Sequence, residues 1–150
     1  MKDNLPIRKS LGLKDYAYTE QGMYFITICV KDRLQLLGKI IDNNSIFLTR
    51  EGEIVEQNLK QIEQTFENTT IDEYVIMPNH IHMIITINEE EAISISRIIK
   101  QYKMYVSKKL GYSIWQKSYY DHIIRNEKEY YKIKQYIQNN IINWKMDKYF

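Results

Sequence analysis

The sequence predicts a single α+β domain, and three observations lead there. Short apolar runs rich in β-branched and aromatic residues, such as 23–30 and 83–87, read as strands. Between them lie longer stretches whose apolar residues recur every three or four positions, as in amphipathic helices. A chain of 150 residues without internal repeats or low-complexity segments suits one core. Residues 1–150 are therefore expected to form one domain, with 1–22 as an N-terminal arm.

The arm is polar and punctuated by Pro6, Gly12 and Gly22. Its Arg8, Lys9 and Lys14 suit either a solvated tail or a strap along a phosphate backbone. Residues 23–30 read as a buried strand; Cys29 within it is the only cysteine, which excludes an intrachain disulfide and points to core filling in a reducing compartment. Residues 31–44 form a connection around Gly38, and 45–49 a short strand. Ile54, Val55, Leu59, Ile62 and Phe66 then make one helical stripe, with acidic residues around it facing solvent. Residues 70–77 and 79–87 are the next strands, and the short Pro78-Asn79 link favours an antiparallel hairpin over one bent strand. A turn is expected at 88–91.

The next helix carries Ile95, Ile98, Ile99, Tyr102, Val106 and Leu110, with Gly111 where a C-cap glycine belongs. A further strand is expected within 115–125. Asn126 with Glu129 reads as an N-cap and its capping-box partner. The last helix has the stripe Tyr130, Ile133, Ile137, Ile141 and Trp144. Tyr136 and Asn140 lie off that stripe, four apart and therefore one above the other, on a face that borders the core.

Composition narrows the class. With 44% hydrophobic and 27% charged residues the chain can fold without staples, and no stretch approaches the roughly 18 apolar residues of a membrane span. A cytoplasmic protein with no membrane partner is expected. The net charge of +2 is too small to indicate nucleic acid by itself, but its distribution is uneven. Residues 92–120 hold six basic side chains (Arg97, Lys100, Lys103, Lys108, Lys109, Lys117) and no acid, whereas 51–73 hold seven acids against Lys60. One side of the molecule should be basic and another acidic, a footprint for a polyanion. The basic helix reads either as a solvated face or as a strand-binding surface. Arg125 and Gln116 suit a phosphate or base contact as well as a structural hydrogen bond, and Trp115, Tyr119 and Tyr120 suit base stacking as well as core packing.

The chemistry-bearing stretch is Met77-Pro78-Asn79-His80-Ile81-His82. Residues i and i+2 of a strand share a face, so two imidazoles stand side by side, roughly 7 Å apart at their Cα atoms. That suits joint ligation of one metal ion. Pro78 and Asn79 stop any helix and place the pair at the strand's start, within reach of a ligand. His-x-His pairs are common, however, and with 13 tyrosines in the chain any one of them is a packing residue by default. His122 reads as structural or DNA-contacting.

Two further stretches join the first in resembling one family. Residues 74–82, Tyr-Val-Ile-Met-Pro-Asn-His-Ile-His, resemble the metal-binding motif of the HUH single-strand nucleases, in the form used by REP-associated tyrosine transposases and their insertion-sequence relatives. Trp115-Gln116 followed by residues 119–126 resembles the segment before that family's tyrosine helix, and Tyr136-Ile137-Gln138-Asn139-Asn140 resembles its nucleophile motif. The resemblance runs from about residue 23 to 144, with the motifs in order. It implies a ferredoxin-like antiparallel sheet with packed helices and a central histidine strand. It implies a divalent metal, Mg2+ or Mn2+, held by His80, His82 and the amide oxygen of Asn140. It implies that Tyr136 attacks a DNA phosphate and becomes joined to its 5′ side, leaving a 3′-OH, on single-stranded or hairpin DNA. Some relatives act as dimers and others as monomers, so a homodimer is one option. One departure is visible: relatives usually place proline after the asparagine matching Asn140, whereas Ile141 follows here and leaves the end of the helix open.

These residue types suit such a reaction. A phenol with a pKa near 10 is only about 0.1% ionised at neutral pH. A cation on a non-bridging phosphate oxygen offsets both that and the charge repulsion of the diester. A metal-bound water and Lys132 are the candidates for taking the phenol proton. Two other readings keep the metal: a domesticated hairpin-binding protein without strand transfer, and a phosphodiesterase that activates water.

Overall fold

The computed structural model describes residues 22–42, 45–88 and 93–146; of the expected arm at 1–22 only Gly22 is described, and it opens the first strand, and of the expected turn at 88–91 only Asn88 is described. Strands β1 (Gly22–Cys29), β4 (Thr69–Met77), β5 (His80–Ile87) and β6 (Tyr120–Ile123) form one antiparallel sheet in the order β4-β5-β1-β6. Between β1 and β4 come the hairpin β2 (Gly38–Asp42) and β3 (Ser45–Leu48), then helices α1 (Arg50–Lys60) and α2 (Ile62–Thr65). Helix α3 (Ile95–Leu110) joins β5 to β6, and α4 (Glu127–Gln138) ends the fold. Apart from the inserted hairpin, the order β-α-β-β-α-β with β5 inserted between β1 and β4 is the split βαβ arrangement of ferredoxin-like sheets. The histidine strand is one of the two interior strands. Among the described residues no helix is long and apolar enough to cross a membrane.

Alternation along the interior strands separates the two faces of the sheet. Tyr24, Ile26 and Ile28 of β1 and Ile81, Met83, Ile85 and Ile87 of β5 point to one side. There they meet Val55 and Leu59 of α1 and Ile95, Ile98, Ile99, Tyr102, Val106 and Leu110 of α3. Every residue of the expected α3 stripe is buried, and Gly111 closes the helix with φ 89°. The other side is smaller: Met23, Ile84 and Ile124 receive Ile137 of α4. With two elements covering one face and one the other, β5 is buried along its whole length.

Several expectations need correction. The connection at 31–44 contains a strand, β2, paired with β3. The first helical stripe is split at Gln61, so Ile62 and Phe66 pack from a separate turn and its exit. Acidic α1 and basic α3 do not lie on opposite sides of the molecule. They are neighbours in one layer, tied by the Tyr102 hydroxyl donating to Val55 O at 3.0 Å. The last helix stops at Gln138, so Ile141 and Trp144 continue its stripe only from a turn and a short 3-10 segment. The capping box is shifted by one residue: Asn126 Oδ1 accepts from Glu129 N, but the Glu129 carboxylate accepts from Arg125 N (2.9 Å) and bonds His122 Nε2 (2.6 Å).

Helix α1 is seated by close approach. Thr49 Oγ1 donates to Leu36 O and accepts from Gly52 N, and a Cβ on Gly52 would lie 2.0 Å from Leu37 O. Gly52→Ala should cost about 1–3 kcal/mol through backbone displacement, read as a thermal midpoint lower by several degrees. A second prediction concerns α4. Partial burial opposes ionisation of Glu129, but the Arg125 N–H and His122 outweigh it and lower its pKa. A carboxyl with a depressed folded pKa stabilises above its unfolded value and loses that contribution as pH falls through the folded one. Wild type should therefore exceed Glu129→Gln in thermal midpoint near neutral pH, with the gap closing as pH falls below the ordinary glutamate value of 4.5.

Candidate active site

His80 and His82 project from the α4 side of β5, with ring centroids 4.6 Å apart. Each ring is oriented through Nδ1. His80 Nδ1 lies 2.6 Å from Asn79 Oδ1 in the β4–β5 turn, and since an amide oxygen only accepts, Nδ1 carries the proton. His82 Nδ1 lies 2.8 Å from the hydroxyl of Thr27, its direct cross-strand neighbour on β1. The turn is itself anchored, because Asn79 O accepts from Val30 N and Pro78 O from Leu37 N. With its Nδ1 engaged, His82 turns Nε2 towards Tyr136 of α4.

Helix α4 brings Tyr136 to that side. Its hydroxyl lies 3.4 Å from His82 Nε2, and its ring meets His82 at 5.2 Å. Phe25 holds both, stacked on His82 at 5.3 Å and edge-on to Tyr136 at 6.2 Å. Beyond the helix, the Trp144 ring lies nearly parallel to His80 at 6.3 Å. The chain between these two contacts contains Asn140. Its side chain is fully buried, and Asn140 Oδ1 has no hydrogen-bond partner. The sequence places Asn140 on a helical face bordering the core; instead it sits past the helix end and inside the protein. The histidines also differ from expectation. Both have no exposed surface, because aromatic rings from α4 and the segment after it lie over them.

A buried carbonyl oxygen without a partner costs about 1–3 kcal/mol, which marks Asn140 as a residue awaiting a donor or a cation. No group of three His, Cys, Asp or Glu side chains suited to a metal occurs among the described residues. Two imidazoles and a neutral amide oxygen are donor types that suit a divalent cation, and the δ nitrogens of the histidines are engaged by outer hydrogen bonds, the arrangement that orients imidazole ligands.

The remaining candidates are spread more widely. Arg97, Lys100, Lys108 and Lys117 are exposed, the first three on α3, behind the sheet from the histidines. Lys108 and Lys109 line a cleft of about 550 Å3 between α1–α2 and α3. Lys103 donates to Gln116 O (2.8 Å) and Lys117 O (3.3 Å), tying α3 to the segment before β6, and its burial lowers its pKa. Arg125 is exposed just before α4, and Lys132 is exposed on it. Trp115 is buried against Tyr102 as a core residue, whereas Tyr120 is exposed. Reading the sequence alone missed Thr27, Asn79 and Phe25. Cross-strand pairing of 27 with 82 requires a register that only the structure supplies.

Three comparisons bear on this geometry. The family described as "Transposase IS200 like" matches residues 18–140. An uncharacterized protein of Haemophilus influenzae is 38% identical over 165 aligned positions, covering 93% of this chain and 91% of that protein. The structure of a REP-associated tyrosine transposase bound to a REP hairpin superposes with a TM-score of 0.65 at 25% identity, covering 83% of this chain and 68% of that one. The ferredoxin-like sheet, the covering helix and the length of the match agree, and the chain belongs to the IS200-like transposase family.

Proposed function

We propose that residues 1–150 act as one transposase domain that cleaves and rejoins single-stranded DNA at hairpin-bearing ends, through a covalent 5′-phosphotyrosine on Tyr136. The observation that carries this reading is the approach of Tyr136 Oη to 3.4 Å from His82 Nε2 within one chain. The related REP-associated transposase is bound to a REP hairpin, which supports the substrate class. His80, His82 and Asn140 are the residues that would hold Mg2+ or Mn2+. Bound there, the ion would act as a Lewis acid on a non-bridging phosphate oxygen.

The chain's own groups do the rest. Phe25 and the α4 backbone hold the phenol in a fixed direction, so attack on phosphorus needs little reorientation. The Oη–P bond forms as the P–O3′ bond breaks; the phenol proton is lost and the 3′ oxygen gains one. The linkage keeps the diester's energy, and attack by a 3′-OH on the phosphotyrosine reverses the step and rejoins strands. The contact between Tyr136 and His82 within one chain supports assembly of the site in cis. The protein would act in the cytoplasm, where Cys29 stays reduced.

Incubation with an end-labelled hairpin oligonucleotide and Mn2+, followed by denaturing electrophoresis, should give a protein–DNA band that survives SDS. Tyr136→Phe should reduce that band on the order of 10³-fold or more. Cleavage retained by this variant would point to a water-activating phosphodiesterase, and hairpin binding without cleavage by wild type to a domesticated binder. For the metal, Thr27→Val should weaken Mn2+ binding about 10–100-fold by titration calorimetry, with hairpin affinity unchanged. His80→Ala should remove both Mn2+ binding and cleavage; equal loss of hairpin affinity would make the histidine a structural residue.

A further inference from the structure

The helical layer on the face of the sheet away from Tyr136 contains the cleft of about 550 Å3 between α1–α2 and α3. It lies where the first helical stripe breaks, at the point where Gln61 N–H turns back to Asn58 O at 3.2 Å and α1 ends. Its size is in the range of pockets that enclose small ligands. Phe66 and Tyr102, both buried, give it an aromatic floor; Tyr102 adds ring surface only, because its hydroxyl is committed to Val55 O. Asn58 and Gln61 stand on one wall. Asn58 Nδ2 donates to Ile54 O, which leaves its oxygen as an acceptor, and the exposed Gln61 amide offers both functions. The α3 wall presents Tyr105, 41% exposed, and one turn further on Lys108 and Lys109. No ion pair of either lysine occurs among the described residues, although the facing segment 51–73 holds seven acids. Those acids are engaged elsewhere: Glu51 accepts from Tyr112, Glu56 from Tyr74 and Glu63 from Ile71 N, and none lines the cleft.

We infer that this cleft binds a free nucleotide, with the base against the Tyr105 ring, its edge on the Asn58 and Gln61 amides, and the phosphate on Lys108 and Lys109. The walls disfavour simpler anions. Inorganic phosphate would leave the aromatic floor uncovered, and an acyl carboxylate would cover it while desolvating two amides that it cannot pair. A base has a π face that stacks on tyrosine and an edge of donors and acceptors that amides read. The cleft is on the opposite face of the sheet from the imidazoles, so the nucleotide would touch no reacting group, and the inference is independent of the strand-cleavage reading. Bound there, it would tie α1–α2 to α3 and act as a stabilising effector, not as a substrate.

The test is titration calorimetry and thermal melting of the whole chain with AMP, GMP, CMP and UMP. At least one should bind saturably and, at about 100 times its Kd, raise the thermal midpoint by roughly 5 °C or more. Omitting the phosphate (the nucleoside) or the base (ribose 5-phosphate) should each weaken binding roughly 10-fold or more. The double variant Lys108→Glu/Lys109→Glu, which changes only exposed side chains, should lose a similar factor and melt like wild type without nucleotide. Lys39→Glu/Lys145→Glu makes the same change of charge at the cleft beside Pro78 and Trp144 and should stay within about twofold of wild type. Tyr105→Ala should cost roughly 10-fold, and Tyr105→Phe should restore most of it. No saturation with any of these nucleotides at millimolar concentration would overturn the inference. Ribose 5-phosphate binding as tightly as the nucleotide, or an affinity indifferent to the Lys108, Lys109 and Tyr105 variants, would do the same. Release of bound nucleotide by a hairpin oligonucleotide, in step with the oligonucleotide's own binding, would assign the cleft to DNA and also overturn it.

Discussion

The placement of Tyr136 depends on one small contact, the insertion of Ile137 between Met23, Ile84 and Ile124. A ferredoxin-like sheet with both crossover helices on one side leaves its other face bare, and bare apolar surface on interior strands is costly. Burying one isoleucine contributes about 1.5–3 kcal/mol. In this layer few residues share the task, so the seat of α4 is set by few side chains. Ile137 is adjacent to Tyr136, and seating one directs the other: with Ile137 pointing into the sheet, Tyr136 lies a rotation of about 100° around the helix. That rotation brings the phenol to the edge of the layer, partly exposed, above His82. The catalytic geometry proposed here is thus a by-product of how a second core is closed.

Polar burial works against this economy and shows where the protein holds functional groups. Thr27, Asn79, His80, His82 and Asn140 are all buried in a layer whose apolar core is small. Four of them satisfy one another in pairs across short distances, through Thr27–His82 and Asn79–His80. Asn140 Oδ1 does not. A folding sequence under no other constraint would replace this set with aliphatic residues, as it does on the opposite face, where the buried positions of β1 and β5 are nearly all aliphatic. The same strands therefore carry two different demands, alternating residue by residue.

That alternation also explains what could be read without coordinates. The α3 stripe, its glycine cap and the β4–β5 hairpin follow from local periodicity and turn chemistry, and they agree with the structure. His80 and His82 share a face for the same local reason. Other features depend on partners distant in sequence. Strand β2 is hidden because Lys39, Ile41 and Asp42 are exposed and only pairing with β3 defines it as a strand. The end of α4 at Gln138 was illegible because apolar spacing continues through Ile141 and Trp144, while the backbone after Asn139 turns to tuck Asn140 inside. Charge blocks named the acidic and basic helices but could not say that both pack on one side of the sheet.

Burial of the histidines adds a constraint on how any substrate arrives. With no exposed surface on either imidazole, a phosphate cannot meet them while Tyr136 and Trp144 both stay in place. The two covers differ in their support: Tyr136 belongs to a helix seated in the second core and capped by Asn126, whereas Trp144 belongs to a short 3-10 turn beyond the helix and is only partly buried. The phenol is thus fixed over His82 by the same contacts that close the smaller face of the sheet, while the ring over His80 is carried by a segment outside the helix.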